Sequence, residues 1–250
     1  MIQYKELKKN LKKDLTGFPE IKVSIVGDTA TQFLATAVRG LGVERGLNIN
    51  LFEAEYNQVE RQFMDPTSDL YEFDADIIVV FQSTHKLGEH HSLLSVEQQA
   101  SLADERLSFV ASICENPTLA NKKIIYLNYP EIEDTVFGSY ANKVESSFPY
   151  QVRKLNYELM NLSQQYPNLF ICDIAGLQNK FGRDFMFAPN VYVSTEMILS
   201  VDALPYVSSR ILDIVCAIRG QFKKCLILDL DNTVWGGVIG DDGLEGVCQL

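Results

Sequence analysis

Two aspartates late in the chain have the spacing of a catalytic carboxylate pair. Asp229 and Asp231 directly follow residues 225–228, four apolar residues with the length and composition of a strand buried in a parallel sheet. If the backbone stays extended here, both carboxylates point to the same side. One aspartate can attack phosphorus as a nucleophile, and a second can carry protons to the leaving oxygen and from the attacking water. Because parallel sheets bind ligands beyond the carboxyl ends of their strands, the position suits a catalytic site.

A divalent cation would make such a pair workable, since two adjacent carboxylates repel each other and also repel a phosphate. Mg²⁺ prefers oxygen ligands and is commonly held by one or two carboxylates together with substrate phosphate. A bare Asp-x-Asp is equally compatible with a solvated strand end. The residues that follow the pair are therefore needed to favour the catalytic interpretation.

The string Asp229-Leu230-Asp231-Asn232-Thr233 resembles motif I of the haloacid dehalogenase (HAD) superfamily of phosphotransferases, and residues 235–246 resemble its FkbH-like branch. That branch is associated with phosphatase chemistry and with glyceryl transfer to carrier proteins. The resemblance implies that Asp229 is the nucleophile and a metal ligand. It also implies that Asp231 is the acid/base and holds Mg²⁺ through its backbone carbonyl, and that Asn232 and Thr233 bind phosphate. The implied partners are a phosphorylated small molecule and an acyl carrier protein.

The superfamily also requires a downstream Ser/Thr, a Lys/Arg for the phosphoryl oxygens and further acidic metal ligands. The sequence ends at Leu250, before any of these. We therefore expect the 250 residues to be the front of a longer protein and to lack phosphatase activity on their own.

Composition narrows the class of protein. The net charge of -11 argues against binding to nucleic acid, which requires a basic surface. No apolar run reaches membrane-spanning length and no signal peptide is evident, so we expect a cytoplasmic protein without a membrane partner.

Five scattered cysteines without metal-ligand spacing predict reduced, structural thiols. Cys248 could also be the acyl-carrying thiol of an FkbH-like transferase, although a packed cysteine is the simpler interpretation.

Apolar patterning upstream of motif I alternates strands with helices. Strands are predicted at residues 21–26, 47–52, 76–81, 123–127 and 169–173, and helices at 2–15, 31–45, 95–114, 149–165 and 207–218. This alternation predicts an α/β fold, a doubly wound parallel sheet. We place this domain at residues 1–220, with a boundary around Gly220, and assign residues 221–250 to the first strand and loop of a HAD-type Rossmann-like domain.

Gly27-Asp28-Thr29, after the first strand, resembles the Gly-Asp-Ser block that opens the SGNH esterase and lipase fold. The resemblance implies an SGNH/flavodoxin-like sheet for the first domain. The catalytic pattern departs from that family: Thr29 replaces the serine, residues 202–205 lack the histidine of the Asp-x-x-His block, and residues 82–85 replace Gly-x-Asn-Asp. The resemblance therefore concerns the fold, and fold alone does not establish activity.

Asn57 follows the second strand at the sheet edge where Asp28 and Thr29 lie, so these three residues form a candidate pocket. Three hypotheses remain for the protein. In the first, the protein is a Mg²⁺-dependent HAD phosphatase or phosphotransferase with an accessory first domain. In the second, the first domain is a non-catalytic module that binds a carrier protein, a saccharide intermediate or another subunit. In the third, the first domain is a hydrolase based on Thr29. We interpret the pair His90-His91 as surface loop, because no third ligand follows at zinc spacing.

Overall fold

The computed structural model describes residues 2–133, 135–189, 192, 195–221, 235–236, 243 and 248–249. The motif I residues Asp229, Asp231, Asn232 and Thr233 lie outside the described residues. The chain divides into two compact units, Met1–Val215 and Cys216–Leu250. In the second unit, the short strands β6 (Trp235–Gly236) and β7 (Cys248–Gln249) pair in antiparallel fashion.

The first unit is built around five parallel strands in the spatial order β2-β1-β3-β4-β5. They are β1 (Glu20–Gly27), β2 (Asn48–Glu53), β3 (Ile77–Phe81), β4 (Lys123–Leu127) and β5 (Leu169–Cys172). This order confirms the predicted doubly wound sheet, because the chain first adds β2 on one side of β1 and then crosses to add β3 on the other. The point of reversal lies between β1 and β3.

Helices flank the sheet, as both faces of a parallel sheet must be covered. The helices before β4 are α1 (Tyr4–Asn10), α2 (Gln32–Glu44), α3 (Val59–Met64), α4 (Asp69–Phe73), α5 (Thr84–Leu93), α6 (Val96–Ala100) and α7 (Leu102–Glu115). Those after it are α8 (Phe148–Gln165), α9 (Ala175–Phe181), α10 (Arg183–Met186) and α11 (Leu204–Ile218). No helix in this described part is long and apolar enough to cross a membrane.

The central strand β3 is the most apolar element. All five of its residues, Ile77 to Phe81, are buried, which is typical of a strand covered on both faces. Its register places Gly27 of β1 opposite Phe81. The two strands therefore end side by side, and the residues that follow each strand meet at one sheet edge.

Glycine at position 40 of α2 lets the N-terminal helix α1 pack closely against α2. A Cβ atom built on Gly40 would lie 2.2 Å from the backbone oxygen of Leu7, so only glycine permits this approach. Leu7 is fully buried as a result. Asn10 strengthens the contact, because its amide donates to the Gly40 carbonyl at 3.1 Å and to Glu44 Oε1 at 2.6 Å.

The helix predicted at residues 95–114 is in fact two helices, α6 and α7, separated at Ser101. Ser95 caps the first of them as expected, and together with Gln98 it forms a reciprocal capping box. The helix predicted at residues 2–15 is shorter, since α1 ends at Asn10. Helices α3, α4, α5, α9 and α10 had no counterpart in the sequence-based prediction.

Candidate functional site

The residues that follow β1 and β3 are tied together by a carboxylate. Both oxygens of Asp28 accept a hydrogen bond from the Ser83 backbone N–H, at 2.9 and 2.8 Å, and the Ser83 hydroxyl also hydrogen-bonds this carboxylate. Ser83 in turn caps α5, because its Oγ accepts from the Lys86 N–H at 3.2 Å. One residue pair thus joins the two strands at which the sheet reverses, where doubly wound folds bind ligands.

A cavity of about 330 Å³ opens beside this pair. Its polar lining comes from several elements and contains both acidic and basic side chains. The polar lining residues are Asp28, Asn57, Glu60, Gln82, Ser83, Lys86, Glu89, His90, Arg106 and Tyr129. Asn57 adopts a left-handed backbone (φ 62°) and donates its N–H to the Gly27 carbonyl at 3.0 Å. The cavity has the size and the mixed lining of a small-molecule site.

Burial controls the charge of Asp28. It raises the pKa of this carboxyl from 3.8 to about 7, although the hydrogen bonds from Ser83 and the charges of Arg106 and Lys86 act in the opposite direction. A carboxyl with a pKa near neutrality can either donate or accept a proton under ordinary conditions.

A buried polar network forms one wall of the cavity. The Tyr126 hydroxyl donates to Gln82 Oε1 at 2.8 Å and lies 2.5 Å from the Tyr129 hydroxyl. Gln82 reaches Glu60 through its amide nitrogen at 3.5 Å, and Arg106 Nη1 donates to the same Glu60 oxygen at 3.2 Å. Both tyrosines are fully buried, so their hydroxyls fix the position of Gln82, and Glu60 links Gln82 to Arg106.

The ammonium group of Lys86, which also lines the cavity, is held by two acidic neighbours. Its Nζ lies 3.5 Å from Glu89 and 3.4 Å from Glu196. Burial alone would lower the pKa of Lys86, but Tyr192, Glu89 and Glu196 together raise it above its ordinary value. Lys86 is therefore a fixed positive charge.

Thr29 is not arranged as an activated nucleophile. Its side chain is fully buried, and its Oγ1 has no hydrogen-bond partner among the described residues. A hydroxyl nucleophile needs a base within hydrogen-bond reach. Asp28 and Asn57 line the cavity, whereas Thr29 is not among the lining residues.

The three histidines lie on α5, so the interpretation of His90-His91 as surface loop is wrong. His91 Nε2 is 2.8 Å from the Ser146 carbonyl oxygen, and the His85 ring packs edge-on against Phe187 with centroids 5.2 Å apart. Burial, with the Arg183 charge, lowers the pKa of His85. Within the described residues, no group of three His, Cys, Asp or Glu side chains could hold a metal ion.

Two solved structures share the architecture of the first domain. Esterase EstA from Pseudoalteromonas sp. superposes with a TM-score of 0.50 at 10% identity, over 80% of this chain and 98% of the esterase. The structure of TesA superposes with a TM-score of 0.50 at 13% identity, over 79% of this chain and 99% of that one. At such identities the likeness shows the fold alone, and the first domain has an SGNH-like α/β fold.

Sequence comparison identifies the family. The model of the FkbH N-terminal domain matches residues 22–216, and the chain belongs to this family. It is 61% identical to the N-terminal part of protein BF1531 from Bacteroides fragilis, whose crystal structure contains a phosphatase domain complexed with Mg; the TM-score is 0.92. The match covers 99% of this chain but only 65% of that structure. No curated protein sequence matches the chain.

Sequence reasoning missed most of the cavity. Ser83 and Gln82 could have been found, because they directly follow a strand at the predicted sheet edge. Arg106 also carried a signal, since it falls between Ala103 and Val110 on the buried stripe of α7, where a charged residue is unexpected. The roles of Asp28, Thr29 and Asn57 remain predictions.

Proposed function

We propose that the full-length protein is a Mg²⁺-dependent phosphotransferase of the HAD superfamily, with Asp229 as its nucleophile. The single observation that carries this proposal is the 61% identity to a protein that contains a phosphatase domain and binds Mg. The string Asp229-Leu230-Asp231-Asn232-Thr233 supplies the residue types that the chemistry needs.

The proposed reaction has two steps. An oxygen of Asp229 attacks phosphorus, the bond from phosphorus to the leaving oxygen breaks, and Asp231 donates a proton to that oxygen. Asp231 then takes a proton from the water that attacks the aspartyl phosphate, so that inorganic phosphate leaves and Asp229 is restored. Asn232 and Thr233 bind the phosphoryl oxygens. Asp229 and the Asp231 carbonyl would hold Mg²⁺, which would neutralise charge on the phosphoryl group.

The test is Mg²⁺-dependent release of phosphate from an aryl phosphate by the full-length protein. Activity is expected to disappear with a chelator and in Asp229→Asn. The matched control is Asp184→Asn, which changes an exposed aspartate in the first turn of α10 and should keep full activity. Unchanged turnover in Asp229→Asn would remove Asp229 from the reaction.

We propose that the first domain binds a small polar ligand without hydrolysing it. Thr29 is buried and has no base within hydrogen-bond reach among the described residues, whereas the cavity beside Asp28 and Ser83 is open and partly lined by polar side chains. The cavity lies at the point where the strand order reverses, the ligand position of doubly wound sheets. An acyl carrier arm and a saccharide intermediate both have the polar groups that such a cavity would recognise.

Two experiments test this binding role. Hydrolysis of an aryl ester by the chain should be equally slow in the wild type, in Thr29→Val and in the exposed control Thr118→Val; turnover lost only in Thr29→Val would support an esterase instead. A chemical-shift screen with small amines, polyols and carboxylates should perturb the amides of Ser83 and Lys86. If no compound of any class perturbs them, the binding role is wrong.

A further inference from the structure

We propose that this cavity recognises an oxyanion of a small organic ligand through the guanidinium of Arg106, while Asp28 on the same cavity accepts a hydrogen bond from a donor group of that ligand. The inference rests on the binding role proposed for the first domain and names the chemistry of the ligand. The inference comes from two ionisable side chains, Arg106 and Asp28, that share the cavity but do not pair with each other.

The side chain of Arg106 is mostly buried but makes few contacts with acceptors of the protein. Its side chain is only 15% exposed, and its one ion pair in the described part of the chain is the single contact from Nη1 to Glu60. A guanidinium has five N–H donors in a planar fork. The remaining donors have no protein acceptor among the described residues, and Arg106 lines the cavity, where these donors can bind a ligand.

The guanidinium is also held in one orientation. Its Cζ lies 5.6 Å from the centroid of the Phe109 ring, and Glu60 fixes the Nη1 corner. Tyr129, which lines the cavity, and its neighbour Tyr126 are fully buried. A preoriented fork with free donors matches a carboxylate or phosphate, which it can bind through two parallel hydrogen bonds.

Three acidic side chains line the cavity: Glu60 pairs with Arg106 and Glu89 with Lys86, whereas Asp28 has no cationic partner in an ion pair among the described residues. Arg106 affects this carboxyl through its charge, yet no ion pair or hydrogen bond joins the two side chains within the described residues. Lys86 is already engaged by Glu89 and Glu196. A ligand with an oxyanion at one end and a hydroxyl or amino group at the other would therefore satisfy both Arg106 and Asp28.

The test uses ¹⁵N-labelled chain titrated with three probes. Glycolate has a carboxylate and a hydroxyl, acetate has the carboxylate alone, and inorganic phosphate is the alternative oxyanion. Glycolate should shift the Ser83 and Lys86 amides in a saturable way and bind several-fold more tightly than acetate. Phosphate tighter than glycolate would assign the site to phosphate-bearing ligands, and the reverse order to carboxylates; both results support the oxyanion site.

Substitutions then locate the anchor. Arg106→Gln should weaken glycolate binding by at least about tenfold, and Arg106→Lys, which keeps the charge but loses the fork, should fall between it and the wild type. Arg153→Gln removes a half-exposed arginine that pairs with Glu131, and should not alter binding. Circular dichroism establishes that each variant is folded; if Arg106→Gln is not, Arg106→Lys alone decides.

Two results would overturn the inference. One is unchanged glycolate affinity in a folded Arg106 variant. The other is the absence of saturable shifts at the cavity with any of the three oxyanions. In the second case, shifts caused by the amines or polyols of the broader screen would leave the binding role intact while rejecting the oxyanion. The two proposals can therefore fail separately.

Discussion

Asp28 is joined to Ser83, because both oxygens of the carboxylate accept from the Ser83 backbone N–H, at 2.9 and 2.8 Å. This contact links the residue after β1 to the residue before α5, on either side of the sheet's point of reversal. It keeps a carboxyl group beside a cavity of about 330 Å³ and away from most solvent. The contact therefore affects both stability and ligand binding.

Asp28→Asn should change the pH dependence of folding. The pKa of Asp28 is raised from 3.8 to about 7 in the folded chain, so between these pH values the folded protein holds a proton that the unfolded chain has released. Wild-type stability should then fall as pH rises through this window, whereas the variant keeps an acceptor for Ser83 and does not titrate. The stability advantage of the variant should grow by up to ~1.4 kcal/mol per pH unit, and level off above about pH 7.

Urea unfolding at several pH values measures this difference, with Asp184→Asn as the exposed control. A constant difference between Asp28→Asn and wild type across the window would show that Asp28 ionises normally.

Tyr126→Phe should destabilise the wall of the cavity. The substitution removes the hydroxyl that serves both Gln82 Oε1 and the Tyr129 hydroxyl, and these groups are buried. The expected loss is about 1–3 kcal/mol in the free energy of unfolding. Tyr140→Phe, at a side chain that is 63% exposed, should cost almost nothing in the same denaturation experiment. Equal stability of the two variants would contradict the network.

Asn156→Ala should loosen the end of β4. The Asn156 side chain accepts from the Tyr129 N–H at 2.9 Å and donates to the Tyr129 carbonyl at 2.7 Å, so one residue satisfies both backbone groups. Each buried group left unpaired should cost about 1–3 kcal/mol. Asn161→Ala, in the same helix, removes a bond to Glu158 only and is the control. A similar small loss in both variants would mean that solvent replaces the Asn156 contacts.

Gly40→Ala should undock α1. The added Cβ would lie 2.2 Å from the Leu7 backbone oxygen, and neither backbone can move away easily. Hydrogen exchange should show reduced protection of the α1 amides, while those of the central strand β3 stay protected. Unchanged protection in α1 would mean that the two helices can separate without loss.

The sheet was predictable because its signal is local. Each strand is a short apolar run, and in β3 every residue is buried, so composition alone identifies it. Helix α5 carries no such signal: Gly88 and the histidines interrupt its apolar pattern, and Leu87 is its one buried apolar side chain. Its N-terminus is fixed instead by the Ser83 cap, and a serine cap without an apolar stripe after it does not by itself predict a helix.

The site was predictable only in part. Asp28 and Asn57 follow neighbouring strands, and strand order alone brings them to one edge. The contact of Asp28 with Ser83 depends on the register that pairs Gly27 with Phe81, which is a tertiary property. The position of Arg106 on the cavity depends on how α7 packs in the folded chain. Helical periodicity predicts only that this residue faces inward.

The aspartyl phosphate proposed at Asp229 of the full-length protein can be mapped directly. The protein is mixed with an aryl phosphate and Mg²⁺, quenched in acid, digested and analysed by mass spectrometry. We expect one phosphoryl group on the peptide that contains Asp229, absent in Asp229→Asn and present in Asp184→Asn. A phosphoryl group on a different residue, or turnover of the aryl phosphate with none on the Asp229 peptide, would contradict it.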